Sequence, residues 1–266
     1  MKKLTMFAVA IAALAFTACG GNKSAQSVED ADSVKSFEQE QIEAKIKVEL
    51  DSLAAALGQL KQLPVVKGDE GIKLTDQEKQ VKPDYLLAPS VAENATTLAE
   101  KYRMISALSV DKQIAELYEM PTDEYQQAIT KLVTDINDPS FKEVEDASTI
   151  YETAQNLYEA MDKNGRINFF WQLAATSLVE ELYVLNQNSE KFITAFDDDA
   201  AANVTFRTVL LIDAINRLTE YDQDIKPVAD AIAPLGVLNA ISVEQLKAQL
   251  NEAKDKIIDA RKALIK

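Results

Sequence analysis

The sequence predicts an all-α protein, a multi-helix bundle of roughly six to eight helices with a long N-terminal and a long C-terminal heptad-patterned helix. Three observations carry that prediction. Apolar residues recur at alternating spacings of three and four along most of the 266 residues. The chain has only seven Gly and seven Pro, too few to punctuate the many turns of an all-β fold. Helix start and stop signals also stand where the apolar seams begin and end, at Thr122, Asp138-Pro139, Gly165, Asp197 and Ser242.

In chain order, helical periodicity starts near Phe37, where Ile46, Leu50, Leu53, Leu57 and Leu60 form a seam that Pro64 ends. Residues 64–89, with Gly68, Gly71, Pro83 and Pro89, read as a long loop with room for a short hairpin. Val91, Ala95, Leu98, Tyr102 and Ile105 make the next seam. Thr122 then caps a helix carrying Tyr125, Ile129, Leu132 and Ile136. Asp138-Pro139 opens a helix with Val144, Ala147, Tyr151, Ala154, Leu157, Tyr158 and Met161, and Gly165 fits its C-cap.

The segment Arg166–Asn186 is the most apolar beyond the N-terminus. Trp171, Leu178 and Leu182 lie on one side and Phe169, Phe170 and Leu173 on the other, so this helix is expected at the centre, buried nearly all round. Asp197 to Asp199 cap a helix with Val204, Leu211, Ile215 and Leu218, and Phe206 and Val209 on a second face. Pro227 and Pro234 punctuate a short segment. Ser242 and Gln245 form a capping box for a last helix whose seam runs Val243, Leu246, Leu250, Ala253, Ile257, Ala260, Leu264. Its partner is expected within the same chain, the helix over 37–62 being one candidate.

The N-terminus has a different character. Lys2 and Lys3 precede an apolar run from Leu4 to Phe16, broken only by Thr5, which is too short to span a roughly 30 Å hydrocarbon core as a helix. Thr17, Ala18, Cys19, Gly20 and Gly21 follow. Phe16-Thr17-Ala18-Cys19 resembles the bacterial lipobox, with Phe16 where Leu is usual. The resemblance implies a signal peptide over 1–18 and a lipidated Cys19 as the mature N-terminus. Residues 19–36, small, polar and acidic, then read as a flexible tether and 37–266 as the helical domain.

Composition narrows the chemistry. The net charge of −15 becomes −17 once Lys2 and Lys3 leave with the signal, which argues against nucleic acid and anionic lipid as partners. The membrane is therefore expected to hold the protein through lipid on Cys19 and not through charge. No histidine and a single cysteine remove disulfides, Ser-His and Cys-His catalysis and the usual zinc sites, so no cofactor is expected.

Few candidate sites remain. Glu180 and Glu181 sit on the central helix with Gln172, Thr176 and Ser177. Paired carboxylates in a bundle core can bind metal or transfer protons, but diiron bundles need Glu-x-x-His, and a solvated stripe or pairing with one of the five arginines explains the same residues. Asp162 to Ile167 matches part of a calcium loop but lacks both end ligands, Ala160 and Trp171 standing in their places. Ser109 to Lys112 has S-x-x-K spacing without the accompanying motifs, and reads as chance or as a helix start capped by Ser109. The Asp197–Asp199 run suits a helix N-terminus, and Tyr102, Tyr118, Tyr151, Tyr158 and Tyr183 suit core packing. Ser33 and Ser52 lie in short Asp-Ser-apolar glycosylation motifs, of which only Ser33 looks accessible.

The helix carrying Leu178-Val179-Glu180-Glu181-Leu182-Tyr183 resembles all-helical lipoproteins of Bacteroidota, a likeness that brings no functional residues with it. The residues after Cys19 favour an outer-membrane protein facing the periplasm. The functional expectation is a lipid-anchored, non-enzymatic scaffold or partner-binding bundle of the cell envelope. A periplasmic binding protein for a small or lipidic ligand held between helices is the alternative, and an enzyme using carboxylates alone ranks third.

Overall fold

The computed structural model describes residues 44–66, 71–144 and 154–265, with side chains left out at 142–144. Cys19, the signal, the tether, Ser33, Ala147 and Tyr151, and the side chain of Val144, lie outside the described residues. Among those described there is helix, turn and loop and no strand, so the all-α class holds. The α-helices are α1 (44–58), α2 (Asp76–Gln80), α3 (Leu98–Leu117), α4 (Asp123–Ile136), α5 (Ala154–Lys163), α6 (Ile167–Gln187), α7 (Ser189–Phe192), α8 (Asp198–Leu218), α9 (Lys226–Ile232), α10 (Val243–Glu252) and α11 (Lys254–Leu264). That exceeds the six to eight expected, because one- and two-turn helices occupy stretches that periodicity leaves as loop and the last helix is broken in two. Contacts divide the chain into Met1–Lys45 and Ile46–Lys266, and the packing described below is that of the second unit.

Helix α6 is the hub. It touches α3, α5, α8, α9, α10 and α11, and every residue from Phe170 to Leu182 on it is buried. Its apolar residues face all directions, so only neighbours on every side can cover them. Aromatic contacts lock its N-terminal half. Trp171, wholly buried, meets Phe170 edge-on at 5.1 Å and Tyr158 at 6.0 Å. Phe169 stacks on Tyr102 of α3 at 4.6 Å, and Phe141 lies on Tyr102 at 5.5 Å.

Local chemistry sets the boundaries. Thr97 and Glu100 form a capping box at the start of α3, with the Glu100 amide donating to Thr97 at 3.2 Å and the Thr97 amide to Glu100 at 2.9 Å. Val91 and Ala95 therefore precede the helix, the former in a 3-10 segment, Pro89–Asn94. Ser109 starts nothing: it lies inside α3, its hydroxyl donating to the Ile105 carbonyl at 2.7 Å. Thr122 precedes α4 without a side-chain cap, and Asn137 closes that helix in the left-handed region at φ 53°. Asp138 does cap, accepting from Ser140 N at 2.8 Å, and opens a 3-10 segment, Pro139–Val144. Gly165, at φ 66°, closes α5 as expected, with Arg166 N reaching back to Met161 O at 2.7 Å. The calcium reading has no support from side chains here, since Asp162 pairs with Lys47 at 3.0 Å and Asn164 bonds Ser140 at 2.8 Å.

Three further expectations are corrected. The 64–89 stretch contains no hairpin among its described residues; it holds a buried 3-10 turn at Pro64–Val66 and the capped helix α2. The long C-terminal helix is two, breaking at Ala253 (φ −88°, ψ 1°) while its seam stays buried at Leu246, Leu250, Ala253, Ile257, Ala260 and Leu264. The break lets α10 pack against α8 and α6 while α11 packs against α6 and α9, so the seam finds its partners within the chain. Ser52, expected to be inaccessible, is exposed on the outer face of α1.

Helix α1 buries Leu50, Ala54 and Leu57 completely. Polar ties fix it to two neighbours: Tyr158 of α5 donates to Asp51 at 2.8 Å, and Arg217 of α8 pairs with Glu49.

Candidate functional site

The polar residues of α6 do not form one stripe. Successive residues on a helix point about 100° apart, so Glu180 and Glu181 leave the helix in different directions and enter different networks. Both are fully buried, which removes the solvated-stripe reading.

Glu180 points toward α3 and α11 and is held by Arg261. The guanidinium donates from Nε to both carboxylate oxygens at 2.9 and 2.8 Å, and from Nη2 to Oε1 at 2.6 Å. It lies 3.9 Å from the centre of the Tyr183 ring. A second carboxylate, Asp111 of α3, is buried beside this pair, its Oδ2 3.7 Å from Arg261 Nη2. Two carboxylates facing one guanidinium would leave an uncompensated negative charge in the core. Burial, then the Glu180 charge, pushes the Asp111 carboxyl well above the ordinary carboxylate range, which favours its neutral form.

This triad holds part of the long loop. Leu87 N donates to Asp111 Oδ2 at 2.7 Å, the Leu87 carbonyl accepts from Tyr125 at 2.7 Å, and Arg261 Nη2 reaches the Tyr85 carbonyl at 3.4 Å. The residues after α2 are thus fastened to three helices by groups that lie far apart in sequence. Burial pushes the Tyr125 hydroxyl up to about 12.

Glu181 points toward α8. Ser177 donates to its Oε1 at 3.1 Å, while Oε2 has no hydrogen-bond partner among the described residues. Burial outweighs the attraction of Arg207 and the Ser177 bond and pushes the carboxyl up to about 7. Arg207, itself buried, donates to Asn203 at 2.9 Å and to the Lys61 carbonyl, and Asn203 donates to that same carbonyl at 2.7 Å. On the opposite flank of α6, Arg103 bridges Gln172 at 2.6 Å and the Leu264 carbonyl at 2.9 Å, which closes the end of α11.

A carboxyl titrating near neutrality has the right strength for proton transfer, yet transfer needs a substrate within hydrogen-bond reach. The void beside α6 is about 10 Å³ and apolar, bounded by residues such as Leu178, Leu211, Ile232 and Leu235. It is lined by neither Glu180 nor Glu181 and is the size of a single water. A second concavity is an open depression on α4, along Gln126, Thr130 and Thr134. No group of three or more His, Cys, Asp or Glu able to hold a metal ion occurs among the described residues.

The expected pairing with one of the five arginines holds for Glu180, whose partner is Arg261, but sequence reasoning missed Asp111 and did not say which arginine would engage. A signal existed for Asp111, which falls three after Leu108 and four before Ala115 in a run of buried positions. Arg261 lies beside the α11 seam, and nothing local links it to α6.

The outer surface carries one further feature. Of the six large apolar residues exposed among the described residues, four fall together in two neighbouring stretches: Phe206 and Val209 on α8, and Val237 and Ile241 after α9. Compared with known protein families, curated proteins and solved structures, the chain shows no match.

Proposed function

We propose that the protein is a lipid-anchored component of a bacterial cell envelope, held by Cys19, whose helical bundle acts as a non-enzymatic scaffold or partner-binding subunit. The observation that carries this reading is the gathering of exposed Phe206, Val209, Val237 and Ile241 on a bundle whose acidic core residues are all engaged or enclosed. Exposed apolar residues gathered in one region mark interaction sites more often than scattered ones do. The described void of about 10 Å³ gives the alternative, a ligand between helices, room for about one water unless the helices part. Glu180 and Glu181 are wholly buried and line neither of the two described concavities, which favours the scaffold reading over a catalytic one.

The test has two arms. Acyl-chain labelling in the native envelope should mark the wild type and not Cys19→Ser. Chemical cross-linking of intact cells, followed by purification in several mild detergents, should return one partner at fixed stoichiometry that retrieves this chain in the reciprocal experiment. Labelling of Cys19→Ser would refute the anchor, and no reproducible partner in any detergent would refute the binding role.

A further inference from the structure

The exposed apolar residues form a strip with a definite geometry. Three contacts lay the segment after α9 alongside α8 in the opposite direction. A side-chain carbon placed on Gly236 would lie 3.6 Å from Ile212, Thr205 donates to the Ala240 carbonyl at 2.8 Å, and Val243 N donates to Asp198 at 2.9 Å. The helical stretch from 198 to 212 rises about 21 Å, and the facing stretch leaves a 3-10 turn, Ala233–Val237, to become extended at Leu238 (φ −76°, ψ 103°) and Ser242 (φ −146°, ψ 160°). Val237 is exposed at the end of the 3-10 turn, and beyond it Asn239 and Ile241 face out while Leu238 and Ala240 are buried, the alternation of an extended run. On the helix, Asp199, Ala202, Phe206, Val209 and Asp213 step by three and four and so share one face.

Charge divides this strip from its ends. No residue from 233 to 243 is ionisable, and between 200 and 212 the only one is Arg207, which is buried and turned to the Lys61 carbonyl. At the ends, acids predominate. Asp198, Asp199 and Glu244 are exposed where α8 starts, and the neighbouring Lys247 is matched to Glu190 at 2.7 Å. At the far end Arg217 serves two carboxylates, Asp213 at 3.1 Å and Glu49, which leaves a net negative charge there.

We propose that this strip docks a protein segment with an apolar centre and basic ends. The proposal rests on the partner-binding reading above and names its surface. Charge complementarity selects the occupant. A second copy would bring acidic ends and a net charge of −15 against the same, and an anionic lipid surface would meet the same repulsion. A segment with Leu- or Phe-type side chains between Lys or Arg residues matches both the strip and its ends. Because Thr205 donates to the Ala240 carbonyl, and the Ile241 and Asn239 amides donate to the side chains of Gln245 and Gln249, this run is held in place and little ordering is needed on binding.

The experiment uses the full-length protein in nanodiscs of zwitterionic lipid, with hydrogen exchange as the readout. The probe is a synthetic peptide with a leucine centre and lysine ends, long enough to span the strip; its twin carries glutamate ends. The lysine peptide is expected to protect amides in 202–212 and 236–243, to weaken as salt rises, and to bind the Phe206→Ser/Ile241→Ser variant about tenfold or more weakly. Val48→Ser, which removes an exposed apolar side chain on α1, should bind as the wild type does. Trp171 fluorescence reports that each variant is folded.

Equal binding by the double variant, or by the glutamate peptide, would overturn the proposal. Protection of the strip without peptide would also overturn it, by a second copy if it grows with protein concentration or by lipid if it needs anionic nanodiscs. If the cross-linked envelope partner persists in the double variant, this surface is wrong and the partner-binding role stands. If the lysine peptide binds the strip and cells yield no partner, the surface stands and that role falls.

Discussion

Replacing Glu181 by glutamine should stabilise the protein above neutrality and do almost nothing in mild acid. The carboxyl is wholly buried and titrates near 7 in the folded chain against an ordinary value of 4.5. Between those values the folded state holds a proton that the unfolded state has released, so stability falls as pH rises through the window and levels off above it. Each pH unit is worth about 1.36 kcal/mol, which over this window gives about 3 kcal/mol. The glutamine side chain has the same shape with no charge to bury. The Glu181→Gln variant should therefore match the wild type within about 1 kcal/mol at about pH 5 and exceed it by about 3 kcal/mol at about pH 8. Urea unfolding followed by Trp171, the only tryptophan and fully buried, reads both conditions. Asp111 has a raised value too, but it is common to both proteins and cancels in the difference. Glu78 and Glu100, lowered to about 2 by the amides and hydroxyls that cap their helices, add stability that is present above 4.5 and lost toward 2, outside the window. A difference between variant and wild type that does not change with pH would refute the reasoning.

The Asp111–Glu180–Arg261 triad predicts an asymmetry between two isosteric changes. Asp111→Asn puts a neutral group where burial already favours the neutral carboxyl, and should change unfolding free energy at neutral pH by less than about 1 kcal/mol. Glu180→Gln leaves Arg261 without its carboxylate and should cost about 3–5 kcal/mol; equal effects in urea titrations would show that the proton is not on Asp111. At the start of α3, Thr97→Ala removes a cap and should cost about 1 kcal/mol by thermal unfolding, whereas an unchanged midpoint would mean the helix start is held by packing alone.

Much of the architecture was legible because the signals are local. Of the predicted seam, Leu246, Leu250, Ala253, Ile257, Ala260 and Leu264 are buried and Val243 is half-buried, and Gly165 ended α5 where a left-handed residue was required. The all-round apolar character of Arg166–Asn186 placed that helix at the hub. What periodicity could not show was where a seam changes partner. The break at Ala253 separates two packing environments, and three-four spacing reads the same through it. Short helices such as α2 were missed because a capping box at Thr75 sustains a helix too brief to display a period.

The candidate site divides the same way. The sequence alone determined that Cys-His and Ser-His chemistry is absent, that the surface is acidic, and that Glu180 and Glu181 lie on the most apolar helix, since these follow from composition and from neighbours a few residues away. Only the tertiary structure decided that the two glutamates part company, that Asp111 and Arg261 close around one of them, and that Phe206 and Ile241 come to the same exposed strip. The physical reason is distance along the chain. Glu180 and Arg261 are 81 residues apart, and the free energy of a buried charge depends on what folding brings beside it, which no local pattern encodes.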